Sequence, residues 1–289
     1  MEPKKTYNMT RIRTLMAMAV VVLSMAAMSG CKLTNHRTPE EIDSLYSMKT
    51  SFGEDGMYRG ERADRYLKGG ATFEAAQVRY LSIDWVGDSI LLRAYDGNQV
   101  VISEVADTQL TDTTIMHYYL DDDGELTITS QKPGLRVSGD GLPHKYLLVL
   151  VPRTLRLAEV EIDGTAKLVM DSIRCIDLEM NLLAGSITLN ECELGTWELN
   201  SGNSPFVDAT FSRMPNEIEI NSIGCVVTLY VPEDAGMTVD MEGMNRKFSS
   251  ELPIGKKGKK HVIGDGACQI ECNALSGSLS IKKKDSKVK

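Results

Sequence analysis

Leu155-Arg156-Leu157, Ile176-Asp177-Leu178, Trp197-Glu198-Leu199, Ile218-Glu219-Ile220 and Val239-Asp240-Met241 repeat one pattern, apolar–charged–apolar. Each begins 21 residues after the one before. Two further pairs keep this pitch: Gly164-Thr165-Ala166 with Gly185-Ser186-Ile187, and Asn200 with Asn221. After Met241 the register breaks across Gly255-Lys256-Lys257-Gly258-Lys259-Lys260, then resumes at Ile270-Glu271-Cys272-Asn273. A fixed period of roughly 20–30 residues built from strands signals coils stacked along an axis. One short strand cannot bury its inner face alone, but stacked coils share a continuous apolar column. The pattern predicts an all-β fold, a parallel β-helix-like solenoid with ~21-residue coils lying ~4.8 Å apart. A β-sandwich with coincidental spacing is the alternative, and five triplets at one pitch weigh against it.

With their apolar flanks turned inward, the middle residues of the triplets point outward. Stacking then sets Asp177, Glu198, Glu219 and Asp240 in one acidic strip, with Arg156 at its end. Like charges directly opposed cost up to ~1 kcal/mol a pair. The strip is a candidate site for Ca²⁺, a cationic partner or sugar hydroxyls; the plainer reading is a solvated face. Lys256, Lys257, Lys259 and Lys260 form a candidate basic patch, and folding of that segment onto the strip would neutralise part of it. Asn200, Asn221 and Asn273 are candidates for an internal amide ladder, as stacked identical residues are.

Outward from the repeat, residues 78–283 read as strands. Leu81 to Trp85, Ile90 to Ala94, Val100 to Val105, Ile115 to Leu120 and Leu126 to Ile128 are short apolar segments. Asp96-Gly97, Asp122-Asp123-Gly124, Asp140-Gly141, Asp163-Gly164 and Asp265-Gly266 read as tight turns between strands. Residues 31–77 are polar and turn-rich, a tether and lead-in, with a short helix expected from Glu61 to Lys68 before Gly69-Gly70. Residues 284–289 read as a basic tail.

Residues 1–30 read as a secretory leader, with Lys4, Lys5, Arg11 and Arg13 ahead of an apolar run from Leu15 to Met28. That run is shorter than the roughly 20 apolar residues of a membrane span. Met28-Ser29-Gly30-Cys31 resembles a bacterial lipobox, which implies lipidation of Cys31 and a lipid anchor in the cell envelope, the outer membrane being favoured by Lys32. The leaflet stays open. From Cys31 onward the chain carries 28 basic and 39 acidic residues, a net of −11. Residues 255–289 hold nine Lys against three acids, so the rest is more acidic still. Phosphate contacts need Lys and Arg, so nucleic acid is excluded as a partner. The basic end suits anionic lipid or polysaccharide.

Segments such as Gly185-Ser186-Ile187-Thr188-Leu189 and Leu275-Ser276-Gly277-Ser278-Leu279-Ser280-Ile281 resemble the repeats of a bacterial adhesin-type envelope family, related to the head GIN domain, whose members have no assigned function. Val149-Leu150-Val151-Pro152, Leu229-Tyr230-Val231-Pro232 and Ile83-Asp84-Trp85 with Gly87-Asp88-Ser89-Ile90 share the likeness. It covers about residues 78–283, and it implies a right-handed β-solenoid, often with a lipoprotein anchor, and no catalytic residues. Trp197, Cys175 and Cys192 depart from the family pattern.

Chemistry is sparse. Cys175, Cys192, Cys225, Cys268 and Cys272 are an odd set, so at least one thiol stays free and the pairing is open. Cys268 and Cys272 sit ~13 Å apart on an extended strand, too far to bond each other. No zinc pattern accompanies them. Asp121-Asp122-Asp123-Gly124-Glu125 lacks EF-hand order and reads as a hairpin turn. His36, His117, His144 and His261 are scattered, and no GxSxG, HExxH or Walker loop occurs. No catalytic residue, metal site or cofactor is expected. The expected function is an anchored lipoprotein with a binding, adhesion or structural role toward a glycan or surface protein. The alternative is a polysaccharide-active β-helix enzyme, a lyase or glycoside hydrolase, with two carboxylates across a cleft.

Overall fold

The computed structural model describes residues 51–52, 58–59, 65–133, 143–202 and 205–284. The described residues all lie in one compact unit, within residues 39–289. The leader, Cys31, Glu61 to Asp64, Asp140-Gly141 and residues 285–289 of the tail lie outside the described residues.

The chain is all-β. β1 (Ser51–Phe52) and β2 (Tyr58–Arg59) pair antiparallel by themselves. The other strands form one hydrogen-bonded network: β3 (Leu67–Lys68), β4 (Ala71–Glu74), β5 (Tyr80–Tyr95), β6 (Gln99–Ala106), β7 (His117–Leu120), β8 (Glu125–Thr129), β9 (Lys145–Pro152), β10 (Leu157–Asp171), β11 (Arg174–Leu182), β12 (Ser186–Asn190), β13 (Glu193–Ser201), β14 (Phe206–Thr210), β15 (Glu217–Val231), β16 (Met237–Glu242), β17 (Asn245–Ser250), β18 (Gly255–Lys257), β19 (Lys260–Ile263) and β20 (Cys268–Lys283). Their central pairings are parallel, in two files. One runs β8–β5–β10–β11–β13–β15–β20–β16, the other β9–β5–β10–β12–β14–β15–β20–β17. The long strands β5, β10, β15 and β20 belong to both. The pairings β10–β11–β13–β15–β14–β12–β10 therefore close into a ring of six.

The chain alternates because the ring has an inside. Val160, Ile162, Leu168 and Met170 of β10 are buried, as are Trp197 and Leu199 of β13 and Ile218, Ile220, Val227 and Leu229 of β15. Trp197 meets Phe211 with ring centroids 6.2 Å apart. Each such side chain, fully buried, contributes about 1.5–3 kcal/mol relative to exposure.

A long strand changes file where its backbone bends. In β10 the bend is at Gly164, with φ +136°, where an added Cβ would lie 2.0 Å from the Trp85 carbonyl oxygen. Asp163-Gly164 is thus a corner inside a strand and not the expected turn between two. Asp96-Gly97 and Asp265-Gly266 do join strands, and β7 and β8 form a hairpin around Gly124, φ +87°. There Asp121 Oδ1 accepts from the amides of Asp123 and Glu125, both at 2.9 Å. The expected helix does not reach Lys68. Leu67–Lys68 is a strand paired with β7, since Gly69 at φ +82° turns the chain and donates its amide to Met116 O at 2.8 Å.

Two sequence expectations about the repeat change. The register offset is not a uniform 21 residues. Glu179 pairs with Glu198, 19 apart; Ser186 with Phe206, 20 apart; only β13 to β15 keeps 21, as Trp197 with Ile218. Sequence order also fails at both ends. β5 lies between β8/β9 and β10, and β20 lies between β15 and β16/β17.

Antiparallel strands cover the ends: β6 on β9, β7 on β8, β4 on β6, and β19 on β16. One end is held by a buried ion pair. Lys145 Nζ lies 2.6 Å from Glu104 Oε2, with side chains 1% and 6% exposed. Nζ also donates to the carbonyls of Thr114, at 2.6 Å, and Ser130, and sits 4.9 Å from the Trp85 ring centroid. Glu104 Oε1 accepts the Met116 amide at 2.6 Å. Burial pulls the Lys145 pKa down, while the Glu104 carboxylate pushes it back.

Candidate binding surface

The outward residues of the first file build a double row. Glu161, Glu179, Glu198, Glu219, Glu271 and Asp240 follow one another in register on β10, β11, β13, β15, β20 and β16. Two residues further along each strand come Asp163, Asn181, Asn200, Asn221, Asn273 and Glu242. Neighbours in a parallel sheet lie ~4.8 Å apart.

The amides form a ladder. Asn200 Nδ2 donates to Asn181 Oδ1 at 3.0 Å, Asn221 Nδ2 to Asn200 Oδ1 at 3.0 Å, and Asn273 Nδ2 to Asn221 Oδ1 at 3.1 Å. Each of three also donates to the carboxylate two residues back: Asn181 to Glu179 at 3.0 Å, Asn200 to Glu198 at 2.9 Å, Asn221 to Glu219 at 3.1 Å. The expected ladder therefore exists, but on the carboxylate side of the sheet and not inside the ring. It has a fourth rung, Asn181.

Of the four strip residues expected from the sequence, Glu198 and Glu219 pair directly. Asp240 pairs with Glu271, because β20 separates it from Glu219. Asp177 lies outside the row. It pairs with Glu159 and Thr196, and accepts from Thr196 Oγ1 at 2.7 Å. Its neighbour Ile176 is 48% exposed while Leu178 is buried, so only one flank of that triplet faces inward as expected. Arg156 precedes β10 and joins no pairing. Glu161, Glu179 and Glu271 were missed. The recurring Glu-x-Asn of Glu179-Met180-Asn181, Glu198-Leu199-Asn200, Glu219-Ile220-Asn221 and Glu271-Cys272-Asn273 marks Glu179 and Glu271, while Glu161 is followed by Ile162-Asp163 and carries no such mark.

Electrostatically the row is crowded. Burial, then the carboxylates of Glu219 and Glu179, raise the Glu198 pKa against the lowering hydrogen bond from Asn200. Burial, with Asp163 and Glu179, raises Glu161. At the far end Lys260 Nζ pairs with Asp240 Oδ2 at 3.1 Å, so one lysine of the basic segment reaches the row. Lys256, Lys257 and Lys259 are exposed on and beside the β18–β19 hairpin.

Other chemistry is thin among the described residues. No group of three or more His, Cys, Asp or Glu is arranged to hold a metal ion there. All five described cysteines are buried free thiols. Burial pushes Cys192 and Cys268 up to about 12. Cys225 and Cys272 hydrogen-bond to each other, which lowers the first and raises the second. An open cleft of about 330 Å³ is lined by Arg213, Asn216, Asp234 and Asp265 among others. Among the described residues no helix is long and apolar enough to cross a membrane.

No family model and no curated protein matches the chain. Solved structures do resemble it. A candidate cell adhesion protein of Clostridium sporogenes aligns at 13% identity and TM-score 0.48, over 76% of this chain and 100% of that one. Candidate adhesins of Parabacteroides merdae, at 13% identity and TM-score 0.30, and Bacteroides fragilis, at 9% and 0.29, each align over 75% of this chain and 96% of theirs.

Proposed function

We propose that this chain is an envelope lipoprotein, anchored through Cys31, whose parallel strands form a right-handed β-solenoid that serves binding or adhesion and not catalysis. The double row carries the reading. Six outward acidic positions on six consecutive strands repeat one chemistry over roughly 24 Å. A surface of that kind suits an extended partner with regularly spaced donors, such as a glycan or a surface protein. The Asn ladder supports this by fixing Glu179, Glu198 and Glu219 before any partner arrives, which lowers the ordering cost of binding.

The test is a screen of glycans and surface proteins against the full chain, with and without Ca²⁺. A ligand whose binding weakens in Glu198→Gln/Glu219→Gln is expected. Unchanged binding in that variant, or cleavage of a polysaccharide by the wild type, would overturn the reading. The anchor is checked separately by the intact mass of the envelope-extracted protein. It should carry acyl chains, and Cys31→Ser should carry none.

A further inference from the structure

Ten large apolar side chains stand exposed among the described residues; three of them succeed one another at one corner, and a further pair lies three residues along on the adjoining strands. Ile223 and Leu275 face each other across β15 and β20, between the Ser222–Ala274 and Gly224–Ser276 pairs. Met244 follows on the last strand pair, its amide donating to Leu275 O at 3.2 Å. Phe206 pairs with Val226 alongside. Exposure rises toward the end of the stack: Ile223 38%, Leu275 55%, Met244 79%. Single exposed apolar residues are ordinary, but a contiguous row of them marks a contact surface.

Basic residues adjoin this row. Arg246 and Lys247 follow Met244 on β17, and Lys247 extends the Phe206–Val226 line through Ser278. The β18–β19 hairpin on the same last tier carries exposed Lys256 and Lys257, with Lys259 in its turn. Exposed Glu242 and Glu251 are the acids nearest in sequence. The remainder of the chain is strongly acidic, so this end stands out by charge as well as by hydrophobicity.

We propose that this corner is a membrane-docking surface, with Met244 and Leu275 entering the headgroup boundary of an anionic bilayer while Arg246, Lys247 and the hairpin lysines meet its phosphates. The chemistry selects that occupant. Apolar burial plus attraction to anionic lipid is how interfacial segments bind, and each Lys or Arg near such a surface adds about 1 kcal/mol. An acidic polysaccharide would match the lysines but leave the apolar row wet. A second copy meeting the same corner face to face would oppose like charges. The inference rests on the envelope reading above and adds the orientation in which the anchored chain sits.

The experiment uses the full chain with Met244→Trp, mixed with vesicles of brominated phosphatidylglycerol or brominated phosphatidylcholine. Trp85 and Trp197, at 0% and 1% exposure, stay out of lipid reach. Phosphatidylglycerol should quench about half or more of the added emission and phosphatidylcholine far less. Val105→Trp, exposed on β6, should be unaffected in both. Lys247→Glu/Lys257→Glu should abolish the quenching. A chain that floats with the vesicles but leaves Trp at 244 unquenched overturns the docking and spares the anchor. A chain that does not float overturns both. Shielding of that tryptophan without lipid, growing with protein concentration, would instead assign the corner to a second copy.

Discussion

Glu198 has a carboxylate on either side of it in the row, Glu179 and Glu219. Its folded-state pKa is raised above the unfolded one, so the folded chain holds that proton to higher pH. Stability from this group therefore falls as pH climbs from the unfolded value through the folded one. Glu198→Gln keeps an acceptor for Asn200 and removes the charge. It should raise stability at pH 7 by up to ~1 kcal/mol. The gain should vanish below about pH 3.5, where the glutamate is neutral in both states. Thermal melts across that range check it, and a gain that persists in acid refutes the electrostatic account. The cysteines give a second prediction. Burial holds the Cys192 and Cys268 thiols near 12, and thiolate is the reactive form. A thiol reagent at neutral pH should leave Cys192 and Cys268 unlabelled in the folded chain and label them in guanidinium.

Elements are set here by corners as much as by strands. Gly164 turns β10 from one file to the other at a φ that side chains avoid, against the Trp85 carbonyl. Gly164→Ala should cost roughly 1–3 kcal/mol, seen as a lower denaturant midpoint with an unchanged slope. Nothing in the residues before the structure separated this corner from a hairpin turn, because Asp-Gly suits both. The repeat was legible as parallel and apolar inside, and Glu198 opposite Glu219 followed directly from it. The register at β11 was not. Ile176-Asp177-Leu178 and Leu178-Glu179-Met180 both read apolar–acidic–apolar, and only the second has Asn two residues beyond its acid. A buried amide must find a partner, so asparagine marks register more strictly than a hydrophobic triplet does. Binary patterning tolerates a slip of two, since it returns the same face inward.

Across the parallel network as a whole, each strand is hydrogen-bonded to its neighbours, and antiparallel strands cover the outermost ones. Lys145 and Glu104 tie β9, β6 and the carbonyls of Thr114 and Ser130 into one such cap. Removing one partner of a buried pair leaves the other uncompensated, so Lys145→Ala should cost about 3–5 kcal/mol. Proteolysis should then begin in residues 99–130, ahead of the central strands. An unchanged melting temperature would show that the clamp is incidental. Charge is distributed along the stack too. The hairpin lysines cluster at the β16–β17 end, and Lys260 closes the acidic row there.

The insertion of β20 between β15 and β16/β17 has a consequence for biosynthesis. A ribosome makes residues 237–250 before 268–283, yet the earlier segment bonds to the later one. β20 does not exist until it has been translated, so the parallel pairings of β16 and β17 form only after it, while β16 already has β19 beside it. A frameshift just before residue 268 would leave β17 without a partner strand and β16 with β19 alone.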